Sequence, residues 1–319
     1  MGLQIDPEVL AELASLRDAA GGPEPPPVGD VQTRRATSRR RMELLMPTRQ
    51  PVAGVQMHRY TVDAADGAAL TVNWYRPVGP CGGGAALYLH GGGMILGLSE
   101  LGALFDWSAR RYVADSGVPL LLVDYRTAPE FPHPIPLLDC FAALVWLAGH
   151  AGELGFDPAR VAVMGDSAGG GLAAAVCLMA RDRGGPAVAL QLLIYPMLDD
   201  RTTVPDPELV AFSTWTYDDN ATGWQALLGA DAGGDDTDAY AAPARAADLS
   251  RLPPTYIDVG DLDIFRDENI VYARRLADAG VPTELHVHPG CPHAFEGLAP
   301  NAAVSRRAIA DRVRRLRAL

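Results

Sequence analysis

The chain has 319 residues, 48% of them apolar, which is enough to bury the core of one large α/β domain with a small accessory element, or of two modest domains. Its formal net charge of −12 argues against a nucleic-acid-binding face or an anionic membrane surface, because both reward clustered Lys and Arg. The first residues form neither a basic nor a long apolar segment, and no later stretch approaches the ~20 apolar residues of a spanning helix, so we expect no membrane attachment and a cytoplasmic location.

The first segment, residues 1–47, does not follow a sheet pattern. It is predicted to be helical at its start, broken by a proline-rich stretch at 21–28, and then helical and rich in arginine. The arginines of this second helix are Arg34, Arg35, Arg39, Arg40 and Arg41. We interpret them as a solvent-exposed helix face that pairs with the acidic surplus elsewhere, in preference to an anion-binding site.

From residue 55 onward, short β-rich runs alternate with longer helical patterns, which is typical of a mostly parallel sheet covered on both faces. The predicted strands are 57–62, 70–75, 85–89, 120–123, 161–164, 190–194, 255–259 and 284–288. The predicted helices are 101–114, 136–149, 167–181, 267–279 and 302–316. This pattern predicts an α/β fold built on an eight-stranded sheet.

A second segment, residues 197–245, is polar and aromatic and interrupts the alternation. Together with residues 1–47 it is predicted to form a helical cap, which leaves 48–196 and 246–319 as the main α/β domain. Its aromatic residues Phe212, Trp215 and Trp224 either line an apolar pocket or form the core of the cap, and the second role is the commoner one. The acidic stretch 231–238 lacks the ligand spacing of a calcium loop and is predicted to be a surface turn.

The strongest local motif directly follows the apolar strand 161–164 and opens an alanine-rich helical pattern. It reads Gly165-Asp166-Ser167-Ala168-Gly169. This strand, turn and helix are the setting of a nucleophile elbow, in which Ser167 sits on a sharp turn that admits only small flanking residues. Gly165 and Gly169 meet that need.

A second motif, His90-Gly91-Gly92-Gly93, follows the strand 85–89, where this fold places its oxyanion-hole loop. Glycines there let backbone N–H groups approach a substrate carbonyl and stabilise the negative charge that develops on its oxygen. The two motifs together favour acyl transfer through a serine nucleophile.

Such chemistry also needs an acid and a histidine downstream of the serine. His293 lies in an irregular loop after the strand 284–288 and is the predicted base. Asp261, Asp263 and Asp267 all follow the strand 255–259, and spacing does not choose between the first two. We expect Asp267 to cap the following helix, which removes it first.

The remaining histidines and cysteines do not indicate a metal or a second nucleophile. His286 and His288 share one face of a strand without a third ligand, so we expect a structural role. The four cysteines are scattered without Cys-x-x-Cys spacing, which predicts reduced thiols, no zinc site and no disulfides. Cys291, close to His293, is interpreted as a small buried hydrophobe.

These motifs resemble those of the bacterial hormone-sensitive-lipase-like carboxylesterases, often called family IV. The resemblance covers almost the whole chain and also rests on Asp124-Tyr125-Arg126-Thr127-Ala128-Pro129-Glu130, Asp263-Ile264-Phe265-Arg266-Asp267-Glu268 and His293-Ala294-Phe295. The Asp166 form of the elbow resembles the branch with Asp before the serine. Thr127 stands where Leu is usual, and Ala294 stands where Gly is usual.

The resemblance implies an α/β-hydrolase fold with Ser167 as nucleophile, Asp263 as acid and His293 as base. It also implies an oxyanion hole formed by the N–H groups of Gly92, Gly93 and Ala168, and a homodimer. No metal or organic cofactor is required. The expected partner is a small-molecule ester with a short to medium acyl chain, hydrolysed through a covalent acyl-enzyme.

Two other functions are compatible with the same fold and motifs. An amidase or acyltransferase with the same triad differs only in leaving-group fit and in access of water to the acyl-enzyme, which the sequence does not reveal. A non-catalytic ligand receptor on this scaffold is expected to lack a triad member, whereas all three are present here.

Overall fold

The computed structural model describes residues 2–20, 26–79, 81 and 83–319. Within them, eight strands form one sheet in the order β1-β2-β4-β3-β5-β6-β7-β8. The strands are β1 Val55–Asp63, β2 Ala69–Pro77, β3 Ala85–Leu89, β4 Leu120–Val123, β5 Val161–Asp166, β6 Leu190–Ile194, β7 Thr255–Gly260 and β8 Thr283–His288. The prediction of eight strands and a mostly parallel sheet is confirmed, because only the β1–β2 and β2–β4 pairs are antiparallel.

The central strands are buried along almost their whole length, as the runs of Leu, Val and Ala predicted. Strands β3, β4 and β6 have no exposed residue. A parallel strand with helices on both faces needs apolar residues at every position, and not only at alternate ones. The edge strand β8 is only partly buried, which matches its alternating polar sequence.

Helices cover both faces of the sheet. In chain order the described helices are α1 Pro7–Ala20, α2 Val31–Leu45, α3 Leu98–Ser116, α4 Ile135–Gly149, α5 Ala151–Leu154, α6 Ala168–Arg183, α7 Tyr217–Leu228, α8 Arg266–Asp278, α9 Phe295–Leu298 and α10 Ala303–Arg317. Buried residues of α3 and α10 share one apolar core, and those of α4, α6 and α8 share the core on the opposite face. The two one-turn helices α5 and α9 were not predicted, because four residues carry no helical period.

The N-terminal segment contains two helices, α1 and α2, as predicted, although residues 21–25 of the predicted proline-rich break lie outside the described residues. Two of the arginines on α2 do pair with acids: Arg35 donates two hydrogen bonds to Glu130, and Arg39 donates one to Glu100. The prediction of a solvated face is wrong for Arg34, which is buried. Arg34 donates to Asp219 at 2.8 Å and to backbone carbonyls, so it fastens α2 to the segment containing α7.

The segment after β6 is largely irregular and contains helix α7. Thr216 and Asp219 form a reciprocal capping box that fixes the start of α7. The acidic stretch 231–238 is a turn, as predicted, and it folds around the buried carboxylate of Asp200, which accepts hydrogen bonds from Gly233 and Thr237.

The start of α8 differs from the prediction. Phe265 is the N-cap residue, and Asp267 lies exposed in the first turn beside Arg266, so the prediction that Asp267 caps this helix is wrong. The carboxylate that accepts a backbone N–H here belongs to Asp263, whose Oδ1 lies 2.9 Å from the nitrogen of Phe265. None of the described helices is both long and apolar enough to span a bilayer.

Candidate active site

Ser167 lies in the tight turn between β5 and α6. Its backbone is strained, with φ of 56° and ψ of −118°, a combination that is uncommon outside glycine. A Cβ at Gly165 would lie 2.2 Å from the carbonyl oxygen of Gly169, and a Cβ at Gly169 would lie 2.1 Å from that of Leu89. The surrounding backbone therefore excludes any larger residue at either flank of the turn.

The structure brings Ser167, His293 and Asp263 together from the ends of three strands. The Oγ of Ser167 lies 2.9 Å from Nε2 of His293, and Nδ1 of His293 lies 2.7 Å from Oδ2 of Asp263. All three side chains are buried. In this arrangement the Nδ1–H group donates to the carboxylate, which leaves Nε2 free to accept the serine proton.

The two aspartates that the spacing left open have different partners. Asp263 uses one oxygen for His293 and the other for the backbone N–H of Phe265, so its carboxylate is held from both sides. Asp261 instead accepts a hydrogen bond from the N–H of Gly290 at 2.7 Å, which ties the turn after β7 to the turn after β8. The geometry places Asp263, and not Asp261, against the imidazole.

The imidazole of His293 is held by aromatic rings and by a contact with the 197–245 segment. The rings of Tyr195 and Phe265 meet it edge to face, with centroids 4.8 Å and 5.1 Å away. The Thr214 hydroxyl donates a 2.6 Å hydrogen bond to the carbonyl of His293. The next residue, Ala294, has φ of 57° and ψ of 29°, which explains why Gly is the usual residue at this position.

The glycine loop lies beside the serine turn. A Cβ on Gly91 would lie 3.0 Å from the carbonyl oxygen of Asp166, and a Cβ on Gly93 would lie 2.2 Å from the ring of Trp215. Gly92 and Gly93 both have positive φ. The N–H groups of Gly92 and Gly93 donate no hydrogen bond to any described residue. The N–H of Ala168 lies in the first turn of α6 and therefore has no intrahelical acceptor. These three donors are available to an incoming oxyanion.

His90 supports this loop from inside the protein. Its ring stacks on Tyr125 with centroids 4.1 Å apart, and its Nδ1 lies 2.8 Å from the carbonyl oxygen of Gly91. The Tyr125 hydroxyl donates to the carbonyl of His90 at 2.6 Å. Burial lowers the pKa of His90 to about 4, so the ring is neutral at pH 7 and its Nδ1–H donates to Gly91.

A buried ionic cluster lies next to the His293 loop. Arg312 of α10 donates two hydrogen bonds to Asp258 and a third to Glu296, and all three side chains are buried. The Tyr195 hydroxyl donates to the same oxygen of Glu296 at 2.7 Å. Because the ring of Tyr195 also contacts His293, this cluster fixes one wall of the imidazole site.

Asp166, the residue before Ser167, faces this cluster. Burial, together with the negative charge of Glu296, raises the pKa of Asp166 to about 7, against a hydrogen bond from the Tyr88 hydroxyl that lowers it. The raised pKa means that the folded protein disfavours the ionised carboxylate. The carboxyl of Asp166 ionises near pH ~4 in the unfolded chain but only near pH 7 in the folded protein. The free energy of unfolding therefore decreases as the pH rises from ~4 towards 7.

A cavity of about 180 Å³ opens from Ser167 and His293 towards the surface. Apolar side chains of α2, α3 and the last two helices contribute to its walls, among them Met42, Leu101, Leu104, Phe105, Leu298 and Ile309. Thr214 and Trp215 contribute from the 197–245 segment, so Trp215 lines the pocket, whereas Trp224 is fully buried.

The other residues considered from sequence take structural positions. Cys291 is buried, burial raises the pKa of its thiol, and the four cysteines are present as free thiols in the described structure. His286 contacts Glu284 at 2.8 Å. Within the residues that the structure describes, no group of three or more His, Cys, Asp or Glu side chains is arranged to hold a metal ion.

Sequence reasoning missed Thr214, Tyr195, Glu296 and Arg312. The sequence does indicate an unusual position for Arg312, because this residue lies within the apolar stripe of α10. The other members of that stripe are Val304, Ala308, Ile309, Val313 and Leu316. A charged residue in such a stripe is buried only with partners, which predicts an internal ion pair. Thr214 carried no comparable signal.

Proteins of the α/β-hydrolase class carry a serine hydroxyl, an imidazole and a carboxylate in line. These groups lie at the carboxyl edge of a mostly parallel sheet and beside a glycine loop, as they do here. Residues 86–297 match the family model described as the alpha/beta hydrolase fold. The chain therefore belongs to the α/β-hydrolase family.

Relatives from both sequence and structure comparisons are esterases. The chain is 36% identical to the esterase LipI of Mycobacterium tuberculosis over 225 residues, which are 67% of this chain and 66% of LipI. It is 35% identical to ethyl acetate hydrolase of Pseudomonas putida over 72% of each chain. The solved structure entitled bacterial heroin esterase has a TM-score of 0.86 and 37% identity, with 98% of this chain and 97% of that chain covered.

The resemblance to bacterial hormone-sensitive-lipase-like carboxylesterases is thereby confirmed. The match spans just under two thirds of the length of the mycobacterial relative LipI.

Proposed function

We propose that this protein hydrolyses carboxylic esters, with Ser167 as nucleophile, His293 as general base and Asp263 as the acid that orients the imidazole. The observation that carries this proposal is the position of His293, which lies within hydrogen-bond distance of both Ser167 and Asp263. The names of the relatives, an esterase and an ethyl acetate hydrolase, support an ester as the substrate.

The proposed reaction has two halves. Nε2 of His293 takes the proton of Ser167 as the serine oxygen attacks the ester carbonyl, and the Asp263 carboxylate stabilises the imidazolium that forms. The imidazolium then protonates the leaving alcohol, which leaves an acyl group on Ser167. Water repeats the sequence on the acyl-enzyme, releases the acid and restores the serine.

The N–H groups of Gly92, Gly93 and Ala168 are proposed to hold the oxyanion. They come from two segments next to Ser167, the glycine loop and the start of α6, and none donates a hydrogen bond within the described fold. Donors fixed in advance stabilise charge without reorganising during the reaction, and removing one such donor costs roughly a hundredfold to a thousandfold in kcat.

Substituting Gly93 by Ala is expected to lower kcat/KM for a short-chain aryl ester by at least about tenfold, because the new Cβ collides with Trp215 and the loop must move. The matched control is Gly97→Ala at the start of α3. There φ is −106° and a Cβ has no neighbour closer than 3.8 Å. Equal activity of the two variants, each shown to be folded by circular dichroism, would contradict a role for this loop.

Residues 1–47 and 197–245 are proposed to act as the cap, with 48–196 and 246–319 as the catalytic domain. Met42 from the first segment and Trp215 from the second both line the cavity, which supports the assignment. The homodimer and the cytoplasmic location remain predictions.

Short acyl chains, from acetyl to about hexanoyl, are expected to be hydrolysed faster than palmitoyl esters. The cavity volume of about 180 Å³ is below the ~300 Å³ at which pockets for drug-sized ligands begin, so a long chain must remain partly in solvent. The measurement is kcat/KM for a series of 4-nitrophenyl esters below their aggregation concentrations. A rate that increases up to palmitoyl would contradict the proposed substrate range.

The ester assignment itself is tested by comparing 4-nitrophenyl butyrate with 4-nitrobutyranilide, which share an acyl group and differ in the leaving group. We expect hydrolysis of the ester and little cleavage of the anilide. Faster cleavage of the anilide would identify an amidase, and an increase in ester consumption with added alcohol, accompanied by a new ester product, would identify an acyltransferase.

A further inference from the structure

Three arginines, Arg41, Arg49 and Arg111, surround the outer end of the active-site cavity and are called here the rim arginines. Arg41 of α2 and Arg111 of α3 line the cavity. Arg49 donates to the carbonyl of Gly297, which is another cavity residue. Arg41 and Arg49 come from α2 and the residues that follow it, whereas Arg111 comes from α3, and all three lie at or next to residues that line the pocket.

Arg41 differs from the paired arginines of its own helix. Arg34, Arg35 and Arg39 each bind a carboxylate at 2.7–2.8 Å. Among the described residues, no carboxylate lies within 4.0 Å of Arg41, which is exposed at the mouth of the cavity. The fold therefore neutralises these neighbours of Arg41 but leaves its own charge facing the entrance.

Arg49 and Arg111 share a single aromatic side chain. Both guanidinium groups lie 5.3 Å from the ring centroid of Trp107, which also lines the cavity. Burial and the nearby Arg111 lower the pKa of Arg49, while Glu12 raises it. Nε of Arg49 is buried and has no hydrogen-bond partner within the described part of the chain. Arg111 forms an ion pair with the half-exposed Asp115 at 3.6 Å. Acidic neighbours compensate these charges only in part.

The inner part of the cavity has the opposite polarity. Asp166 and the buried Glu296 both line it, and each has an oxygen without a hydrogen-bond partner among the described residues. The arginines among the cavity-lining residues, Arg41 and Arg111, both belong to the rim, so an anionic group is attracted there rather than to the acidic inner part. The two ends of the pocket therefore favour one orientation of a charged substrate.

We propose that the rim arginines bind an anionic group, such as a carboxylate, at the end of the ester substrate remote from the reacting carbonyl. The inference rests on the proposed esterase function and specifies its substrate class: esters that carry a distal negative charge. The protein as a whole has a net charge of −12, so its long-range field repels such esters. The rim arginines offset that repulsion at the entrance, because positive charges within a Debye length of ~8 Å of the substrate's anionic group are only weakly screened.

The test compares two 4-nitrophenyl esters of equal chain length whose acyl chains end either in a carboxylate or in the isosteric primary amide. A second pair carries the same two groups on the alcohol side. The selectivity is kcat/KM for the carboxylate ester divided by kcat/KM for the amide ester. It is measured in the wild type, Arg41→Gln, Arg111→Gln and the control Arg40→Gln.

Arg40 is a close control because it is also an exposed arginine on α2 but does not line the cavity. Arg40→Gln and Arg41→Gln each remove one positive charge from α2, so they change the long-range electrostatic field of the protein by a similar amount. We expect Arg41→Gln to lower the selectivity in at least one ester pair by about threefold to fivefold, the upper range for an exposed charge contact, and Arg40→Gln to change it much less. Added salt should lower the wild-type selectivity towards that of Arg41→Gln.

Unchanged selectivity in both Arg41→Gln and Arg111→Gln, or an equal loss in Arg40→Gln, would overturn the proposal. Failure of the esterase assignment is distinguished by the amide-terminated ester, which would then not be hydrolysed at all. In that case the binding of non-hydrolysable N-alkyl amide analogues is measured by calorimetry. The dissociation constant of the analogue that ends in a carboxylate is compared with that of the analogue that ends in a carboxamide. Tighter binding of the carboxylate form that depends on Arg41 supports the proposal, and equal binding overturns it.

Discussion

Replacing Ser167 by Ala is expected to abolish hydrolysis of 4-nitrophenyl butyrate while the fold remains intact. Alanine fits the turn, because it is smaller than serine and removes only the hydroxyl that lies 2.9 Å from His293. A residual rate up to about a thousandfold above the uncatalysed reaction is compatible with the account, since binding and the oxyanion donors remain. The measurement is kcat/KM together with the thermal unfolding midpoint.

The matched control for this prediction is Ser250→Ala. Ser250 lies in the loop before β7 and does not line the cavity. We expect activity close to wild type in this variant. Near wild-type activity in purified Ser167→Ala would end the serine-hydrolase interpretation, whatever the control does.

Replacing Asp263 by Asn is expected to lower kcat by at least about a hundredfold. The carboxylate accepts the Nδ1–H of His293 at 2.7 Å and so selects the tautomer that can deprotonate Ser167. An amide in its place favours the wrong tautomer, and the equivalent change in a serine protease costs ~10⁴ in kcat. The comparison is kcat for Asp263→Asn against the wild type under saturating ester.

The neighbouring Asp261→Asn is the matched control, because it follows the same strand and changes the same group. Asp261 binds the N–H of Gly290 rather than the imidazole, and an Asn oxygen can accept the same hydrogen bond. We expect only a small loss of kcat. If Asp261 were indispensable and Asp263 dispensable, the acid assignment would be wrong while the roles proposed for Ser167 and His293 would stand.

The sheet was predictable because its central strands are short apolar runs bounded by turns. Strands β3, β4 and β6 were predicted to the residue, since burial on both faces demands an apolar side chain at nearly every position. The edge strand β1 and its neighbour β2 extend beyond their predicted ends, because the residues there pair in the ladder without being fully buried.

The serine turn and the glycine loop were predictable for a different reason. Both depend on local backbone geometry, and the collisions that a Cβ would cause at Gly165 and Gly93 show why only glycine fits. The choice between Asp261 and Asp263 was not a local question. It depends on how the turns after β7 and β8 meet, which residue spacing does not reveal, although the family resemblance favoured Asp263.

The contacts around His293 were beyond the sequence patterns because they join segments far apart in the chain. Thr214 reaches the carbonyl of His293 across 79 positions, and Arg312 reaches Asp258 across 54. Periodicity describes one element at a time and contains no information on such pairs. The buried position of Arg34 was missed in the same way, since its partner Asp219 lies in the segment that contains α7.

Covalent labelling with an alkyl fluorophosphonate tests the role of Ser167 directly, because the reagent reacts with an activated serine and the adduct mimics the tetrahedral intermediate. We expect loss of activity with a single adduct, located by peptide mass spectrometry on Ser167, and no adduct in Ser167→Ala. Loss of activity without a Ser167 adduct, or with the adduct on another residue such as Cys291, would contradict that role.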